Sequence, residues 1–539
     1  MNASPSFLVG IRKCSQCIRV ALLKVSRSIT LRECNVANGN GNGNGNGNGN
    51  GNGLLSSSRP TTVLARNYSN LHHYEERKSS PKKPILDMDP NAFGGWMRKN
   101  KIRRCFAVYD RHAGHVKVSH PELEELKRML EESKHYHNHE AIFMSLGIRT
   151  DALMCAFIWN TSRGIAQGGV SILPHTSMKN VLENGLHSSM MTGITAALAG
   201  LWVGGGSSII IEPKVARRHQ LSYREKMFFD FGDFLTSLNG CYIASEDIGT
   251  TTMDITHART RSRYVTGLSE DQGGCGNPSH ATTKGVICAM EATLDFLKMG
   301  TLENKTVAIQ GAGNVGQQLV CQLVEKGVSS IHVTDVHENQ LDSIRNLHVR
   351  ESHGSIVLEK VQEYDTGIFA QPCDVFAPCA STGLTRVLTH RTIPLLRARI
   401  VCGSAVNQLM DLSDSRLLAD MDITHISDVI TNRMALVHYA SEPFGRQPND
   451  PFMERHFDPT WEYSIYNMTQ QILQKSQDDE ICPSEAATAI GEQLCKQVDP
   501  AWPNRGSQII YALLRSGWHQ QQDYWRRRSN MYWSHSMGV

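Results

Sequence analysis

The sharpest chemical pattern in these 539 residues is Thr306-Val-Ala-Ile-Gln-Gly311-Ala-Gly313-Asn314-Val315-Gly316. Glycines spaced G-x-G-x-x-G are weak evidence on their own. These follow an apolar strand and open a helix marked by Leu319, Val320, Leu323 and Val324. A second strand then ends in Asp335, 19 residues past Gly316. That context suits a dinucleotide. Gly311 permits a tight turn, Gly313 lets the backbone approach a pyrophosphate, and Gly316 lets helix and strand pack closely. The helix N-terminus at Asn314 and Val315 offers amide donors to phosphate oxygens. Asp335 is spaced to accept ribose hydroxyls and would repel a 2′-phosphate, so NAD is expected over NADP.

Strand–helix alternation surrounds this turn. Val286, Met290, Leu294 and Leu297 mark a helix that Gly300 ends. Strands are expected at Thr306–Gln310, Ile331–Thr334, Val375–Ala377, Ile400–Cys402 and Ile426–Val429, the pattern of a parallel sheet with helices on both faces. An earlier α/β unit has strands at Ala141–Leu146, Leu153–Trp159, Gly168–Leu173, Ser207–Ile211 and Cys241–Ala244. It also has a helix started by Ser119-His-Pro-Glu122 and a glycine- and alanine-rich helix over Met190–Leu201. After residue 460 the pattern is helical, at Met468–Gln474, Ala486–Lys496 and Gln508–Leu514. Tyr524–Trp533, with Arg526–Arg528, reads as a tail packing on the body.

Charge is unevenly spread. The chain has 55 Lys+Arg against 52 Asp+Glu, but residues 1–68 hold eight basic residues and one acid, Glu33. The remainder is net acidic, so nucleic acid is not the expected partner of the folded part. No apolar run is long enough to span a membrane. The basic, serine-rich leader with Arg66-Asn67-Tyr68-Ser69 has the composition of a mitochondrial transit segment, which places the protein in the matrix. Asn38 to Gly53 is an Asn-Gly repeat that cannot bury apolar surface and reads as a spacer. Residues 69–118 read as a polar extension with little regular structure. The 14 cysteines include one close CxxC pair, Cys14 and Cys17 in the leader, and none has zinc spacing; His135, His137 and His139 read as a solvated helix end, so no metal site is expected.

Several segments in order make the chain resemble the glutamate/leucine/phenylalanine/valine dehydrogenases, most closely the leucine and valine branch. They are Asn160-Thr-Ser-Arg-Gly-Ile-Ala-Gln-Gly168-Gly169-Val, Ala199-Gly-Leu-Trp-Val-Gly204-Gly-Gly206 and Asn239-Gly-Cys-Tyr-Ile-Ala-Ser-Glu-Asp247-Ile-Gly-Thr-Thr. Tyr264-Val-Thr-Gly, Gly276-Asn-Pro-Ser279, Ala377-Pro-Cys-Ala380 and Gly403-Ser-Ala-Val-Asn407-Gln-Leu follow. The similarity runs from about His139 to Cys495. It implies oxidation of an L-amino acid to a keto acid and ammonia, with hydride passed to NAD, by an oligomer of the chain or of the chain with a homologue. It also implies an α/β fold with a substrate and oligomerisation domain (119–275), a doubly wound Rossmann-type NAD domain (276–440), C-terminal helices returning to the first domain (441–515) and a basic, aromatic tail (516–539). By position, Asp247 matches the catalytic aspartate, and Gly168 and Gly169 the glycines lining the substrate pocket. Thr282 matches a threonine near the nicotinamide amide, Ala380 and Asn407 residues along the nicotinamide ribose, and Asn432 an asparagine at the pocket mouth.

Two family lysines are absent. One binds the substrate carboxylate, and the other polarises the carbonyl and activates water. Their positions hold Thr195 and Ser207, and no lysine lies between Lys179 and Lys214. Neither replacement carries charge, and one lost electrostatic donor typically removes about 10²–10³ in rate. Reduced or lost catalysis with NAD binding kept is therefore expected. The alternative is a non-catalytic NAD-binding or scaffold subunit of an active homologue's oligomer. Lys179, Arg163 and Arg433 are the candidate substitute cations.

Overall fold

The computed structural model describes residues 84–214, 221–346, 354–380, 387–409, 412–445, 447 and 449–536. The basic leader and the Asn-Gly repeat lie outside them. Two sheets organise the chain. The first contains seven strands in the order β2-β1-β3-β4-β6-β5-β7. These are β1 (Arg104–Asp110), β2 (His115–Val118), β3 (Ala141–Leu146), β4 (Leu153–Ile158), β5 (Ala166–Ser171), β6 (Gly204–Ile211) and β7 (Tyr242–Glu246). β3, β4 and β6 are buried at every residue because helices cover both faces, which explains their continuous apolar runs. On one face lie α1 (Pro90–Lys99), α2 (Glu124–Glu132) and α3 (Met178–Leu198). On the other are α4 (Leu221–Ser237) and α5 (Thr252–Arg259).

The expected polar extension is corrected by this arrangement. From residue 84 onward it supplies α1, β1 and β2, with Phe93, Met97, Phe106 and Val108 buried. Its many charges hid a half-buried hairpin whose apolar residues meet the sheet only after folding. Ser119 does not cap α2. Its Oγ accepts from Phe106 N at 3.0 Å and so ties the chain after β2 to β1. His139 is buried rather than solvated, and its Nε2 bonds Leu186 O at 2.9 Å.

The second sheet is parallel, ordered β10-β9-β8-β11-β12-β13. It comprises β8 (Thr306–Gln310), β9 (Ser330–Asp335), β10 (Ser355–Lys360), β11 (Cys373–Pro378), β12 (Ala398–Cys402) and β13 (Thr424–Ile426). Counted within the sheet this is the order 3-2-1-4-5-6 of a doubly wound dinucleotide fold. Its helices are α6 (Ser279–Phe296), α7 (Asn314–Glu325), α8 (Glu338–Asn346) and α9 (Leu412–Asp420), followed by α10 (Asp428–Thr431) and α11 (Arg433–Ser441).

After α12 (Pro451–Glu454) come α13 (Ile465–Asp478) and α14 (Pro483–Leu494). One apolar core joins α13 and α14 to α3 of the first domain and α6 of the second. α15 (Arg505–Arg515) returns to the first sheet through Ile510 and Leu513, and Trp518 packs in the same core. α16 (Gln522–Ser536) ends the described chain, with Trp525 against the first domain. No described helix is long and apolar enough to cross a membrane. The described cysteines are free thiols.

Candidate active site

β8 ends at the glycine turn. Gly311 has φ +99°, and a Cβ there would lie 2.7 Å from Ala380 N, so only glycine fits beside the end of β11. A Cβ on Gly316 would meet Gly311 O at 2.0 Å, which brings α7 hard against the strand. Nothing lies within 4 Å of a Cβ on Gly313, so the turn is open above the N-terminus of α7. Asn314 and Val315 form the first turn of that helix, and Val315 O accepts a bond from Thr283 Oγ1 at 3.4 Å. Asp335 closes β9. Its Oδ2 accepts from Ala312 N and its Oδ1 from His337 N, both at 2.7 Å, which fixes the carboxylate beside the turn. An open glycine cradle, free amides at a helix start and a held acid together fit a dinucleotide. Thr282 is buried in the first turn of α6 and does not line the cleft described below.

That cleft opens between the two sheets, with about 160 Å³ of free space. One wall is a single face of α3, where Asn184, Ser188, Met191, Thr192 and Thr195 recur at helical spacing. Ser177 starts this helix by accepting from Asn180 N. Gly185 and Gly193 let it lie on the Phe157 and Trp159 rings. The floor comes from β5 and β6, with Gly168, Gly169 and Ser207. A Cβ on Gly168 would strike Gly206 O at 1.8 Å, and one on Gly169 would lie 2.4 Å from Asp247 Cβ. The second glycine thus makes the space that Asp247 occupies. The opposite wall belongs to the second domain, where Asn407, Asp428, Asn432 and Tyr439 face the cleft. Asn407 has φ +53° and donates its backbone N–H to Asp428 Oδ2 at 2.8 Å. Asn432 sits where α10 ends and α11 begins.

Asp247 Oδ1 accepts from Ile248 N at 2.8 Å. Asp247 is exposed to the cleft, whose surrounding protein walls still displace part of its bulk hydration. Burial pushes its carboxyl above the ordinary value, the Ile248 bond opposes this, and neighbouring Glu246 adds to it. No cation offsets the rise. Thr195 spends its hydroxyl on Met191 O, 2.8 Å away in its own helix. The described lining residues contain Glu246, Asp247 and Asp428 but no Lys, Arg or His.

The candidate substitute cations lie elsewhere. Lys179 is on the surface and pairs with Glu183. Arg163 is buried, stacks on Trp202, and donates to Leu201 O, Leu494 O and Gln497 Oε1. Arg433 is buried completely. It donates to Leu198 O at 3.0 Å, Tyr463 O at 2.5 Å and His456 Nδ1 at 3.2 Å, and burial pushes it down to about 9. It staples the end of α3 to the segment before α13. Among the described residues no group of His, Cys, Asp or Glu is placed to hold a metal ion.

Sequence reasoning missed Glu246, Asp428 and Tyr439. Tyr439 and Glu246 are 193 residues apart, and no local pattern pairs them. The helix expected from Met190 in fact begins at Met178, and the cleft residues Asn184 and Ser188 stand on the turns that the expected bounds left out.

A doubly wound parallel sheet that carries a dinucleotide-type turn and faces an α/β domain across a cleft is the two-domain arrangement found in nucleotide-dependent oxidoreductases. Residues 273–499 match the family model described as Glutamate/Leucine/Phenylalanine/Valine dehydrogenase. The phenylalanine dehydrogenase of Lysinibacillus sphaericus is 34% identical over 352 residues, which cover 65% of this chain and 87% of that protein. The leucine dehydrogenase of Geobacillus stearothermophilus is 34% identical over 296 residues, 53% of this chain and 74% of that protein. The crystal structure of L-tryptophan dehydrogenase from Nostoc punctiforme matches with a TM-score of 0.53 at 26% identity, covering 66% of this chain and 96% of that one. The chain belongs to the glutamate/leucine/phenylalanine/valine dehydrogenase family, whose members are NAD(P)-dependent, and lies close to its leucine and valine branch.

Proposed function

We propose that this chain is a mitochondrial, NAD-binding member of the family in which oxidative deamination of amino acids is reduced or lost. The observation that carries this reading is the charge of the cleft. Thr195 and Ser207 occupy the two lysine positions, and the described lining holds three carboxylates and no cation. An amino-acid carboxylate entering there would lose water and gain repulsion, with nothing to compensate. Asp247 can still hold or move a proton, but nothing beside it polarises a carbonyl. NAD, when bound, would supply a hydride acceptor; this chain's turn and Asp335 would position it. Assembly with further copies, or as a non-catalytic subunit with an active homologue, belongs to the same reading, since neither role needs the lost lysines.

The test is NADH formation by the purified protein with leucine, valine, isoleucine, phenylalanine and glutamate at about pH 8 to 10. NAD binding is measured separately by calorimetry. The expected result is NAD binding without appreciable turnover, and activity gained by the Thr195→Lys/Ser207→Lys variant. Turnover by the unmodified protein at ordinary family rates would sink the proposal. For the location, residues 1–68 fused to a reporter should carry it into mitochondria; a reporter left in the cytosol refutes that part.

A further inference from the structure

A second cavity, of about 390 Å³, lies on the first domain where α16 covers the start of β1. Arg98, Lys101, Arg103, Arg104 and Arg526 line it, and Asp523 is the acid in its described lining. Arg98 and Arg103 share Asp151, at 3.5 and 3.3 Å, and Arg526 pairs with Asp523 at 3.1 Å. The balance remains positive.

Arg104 is the unusual member. It is 6% exposed, and its guanidinium carbon lies 5.0 Å from the ring centroids of both Trp518 and Trp525. Its Nη1 is buried with no hydrogen-bond partner among the described residues. Trp525, on the same cavity wall, has in Nε1 a second buried donor without a partner among the described residues. The carboxylate whose charge acts on Arg104 is Asp233, which is already held by Arg149 at 2.8 Å and Arg261 at 3.1 Å. Loss of water pushes Arg104 down to about 9. Arg104 Nη1 and Trp525 Nε1, both without a described acceptor, are costly to keep buried, and an acceptor that brings negative charge would satisfy both.

We propose that this cavity binds a phosphoryl-bearing anion, held by Arg104, Lys101 and Arg526 with the Trp525 indole beside them. Several acceptor oxygens on one small, multiply charged group match donors that converge from different directions, and guanidinium groups favour such oxygens. The α16 wall makes binding dependent on the C-terminal tail being docked. The site is remote in sequence from the glycine turn and does not rest on the reading of the cleft.

The full-length protein is titrated with inorganic pyrophosphate by calorimetry, with chloride at matched ionic strength as reference. Citrate runs in parallel as an anion of similar charge without phosphorus. Saturable binding is expected, weakened at least about tenfold in Lys101→Ser/Arg526→Ser, the loss of roughly one charge-assisted contact or more. Those surface changes leave the glycine turn intact, so binding there would not respond to them. Arg104→Met should abolish the rise in melting temperature that pyrophosphate causes in the wild type. Absence of saturable heat, equal affinity in wild type and double variant, or tighter binding of citrate than of pyrophosphate would each overturn the proposal.

Discussion

Tyr439 donates its hydroxyl to Glu246 Oε1 at 2.9 Å, and so ties α11 of the nucleotide domain to the end of β7 in the first domain across the cleft. Glu246 Oε2 accepts from Thr252 Oγ1 at 2.9 Å, so the acid is held from both sides. Burial and the adjoining Glu246 push Tyr439 well above its ordinary value, which keeps it a donor at every physiological pH. Tyr439→Phe should cost about 1–2 kcal/mol of stability, because a part-buried carboxylate loses a partner. It should also loosen the domain pair. Hydrogen exchange would report faster exchange along α11, and an unchanged pattern would count against this strut.

On the proposed reading, Asp335 sets the nucleotide preference. Its carboxylate takes two backbone amides, so Asp335→Asn leaves one of them poorly matched and removes the charge facing a ribose 2′ position. NAD affinity should fall roughly tenfold while NADP affinity falls less, so the ratio of the two constants narrows. Calorimetry with each nucleotide measures it. A ratio that stays fixed means that other residues set the preference.

Arg433 and Arg104 are both buried guanidinium groups, but they should respond oppositely to replacement by methionine. Arg433 serves two carbonyls and a histidine nitrogen, so Arg433→Met orphans Leu198 O and Tyr463 O and should cost about 2–4 kcal/mol. Arg104 Nη1 has no described acceptor and burial penalises the charge, so Arg104→Met in phosphate-free buffer should be neutral or stabilising. Denaturant melts of the two variants settle the comparison; equal losses would contradict it.

Acid sensitivity follows from buried histidines. Burial lowers His139 to about 3 and His425 to about 4, both from 6.5. Both stay neutral in the fold while the unfolded chain protonates them, so stability present above pH 6.5 is lost as pH falls toward 4. Each contributes a slope of about 1.4 kcal/mol per pH unit through that window. Melting temperature should drop steadily between pH 6.5 and 4.5, and a flat profile there would show that these histidines are solvated.

Local pattern carried much of this protein. β8 runs over the same residues as expected, because five apolar-centred residues before a glycine turn have few other uses. The other strands of the second sheet overlap their expected positions except β10, an edge strand whose short apolar run Ile356–Leu358 is flanked by polar and charged residues and only partly buried. The glycines at 311, 313 and 316 were legible because turn, open backbone and close helix packing each leave a residue-type signature.

What lay beyond one-dimensional reading was partnership. A charged side chain looks alike in sequence whether it meets solvent, a carbonyl or nothing. Arg433 stands next to the cleft residue Asn432 in the chain, yet it turns to Leu198 O and Tyr463 O because the C-terminal segment folds back over α3. Glu246 and Tyr439 meet only once both domains are in place. The absence of the lysines was plain from residue type; that no described lining residue replaces them became plain only from where the neighbouring described charges had gone, since electrostatic pairing acts over ångströms of space and not along the chain.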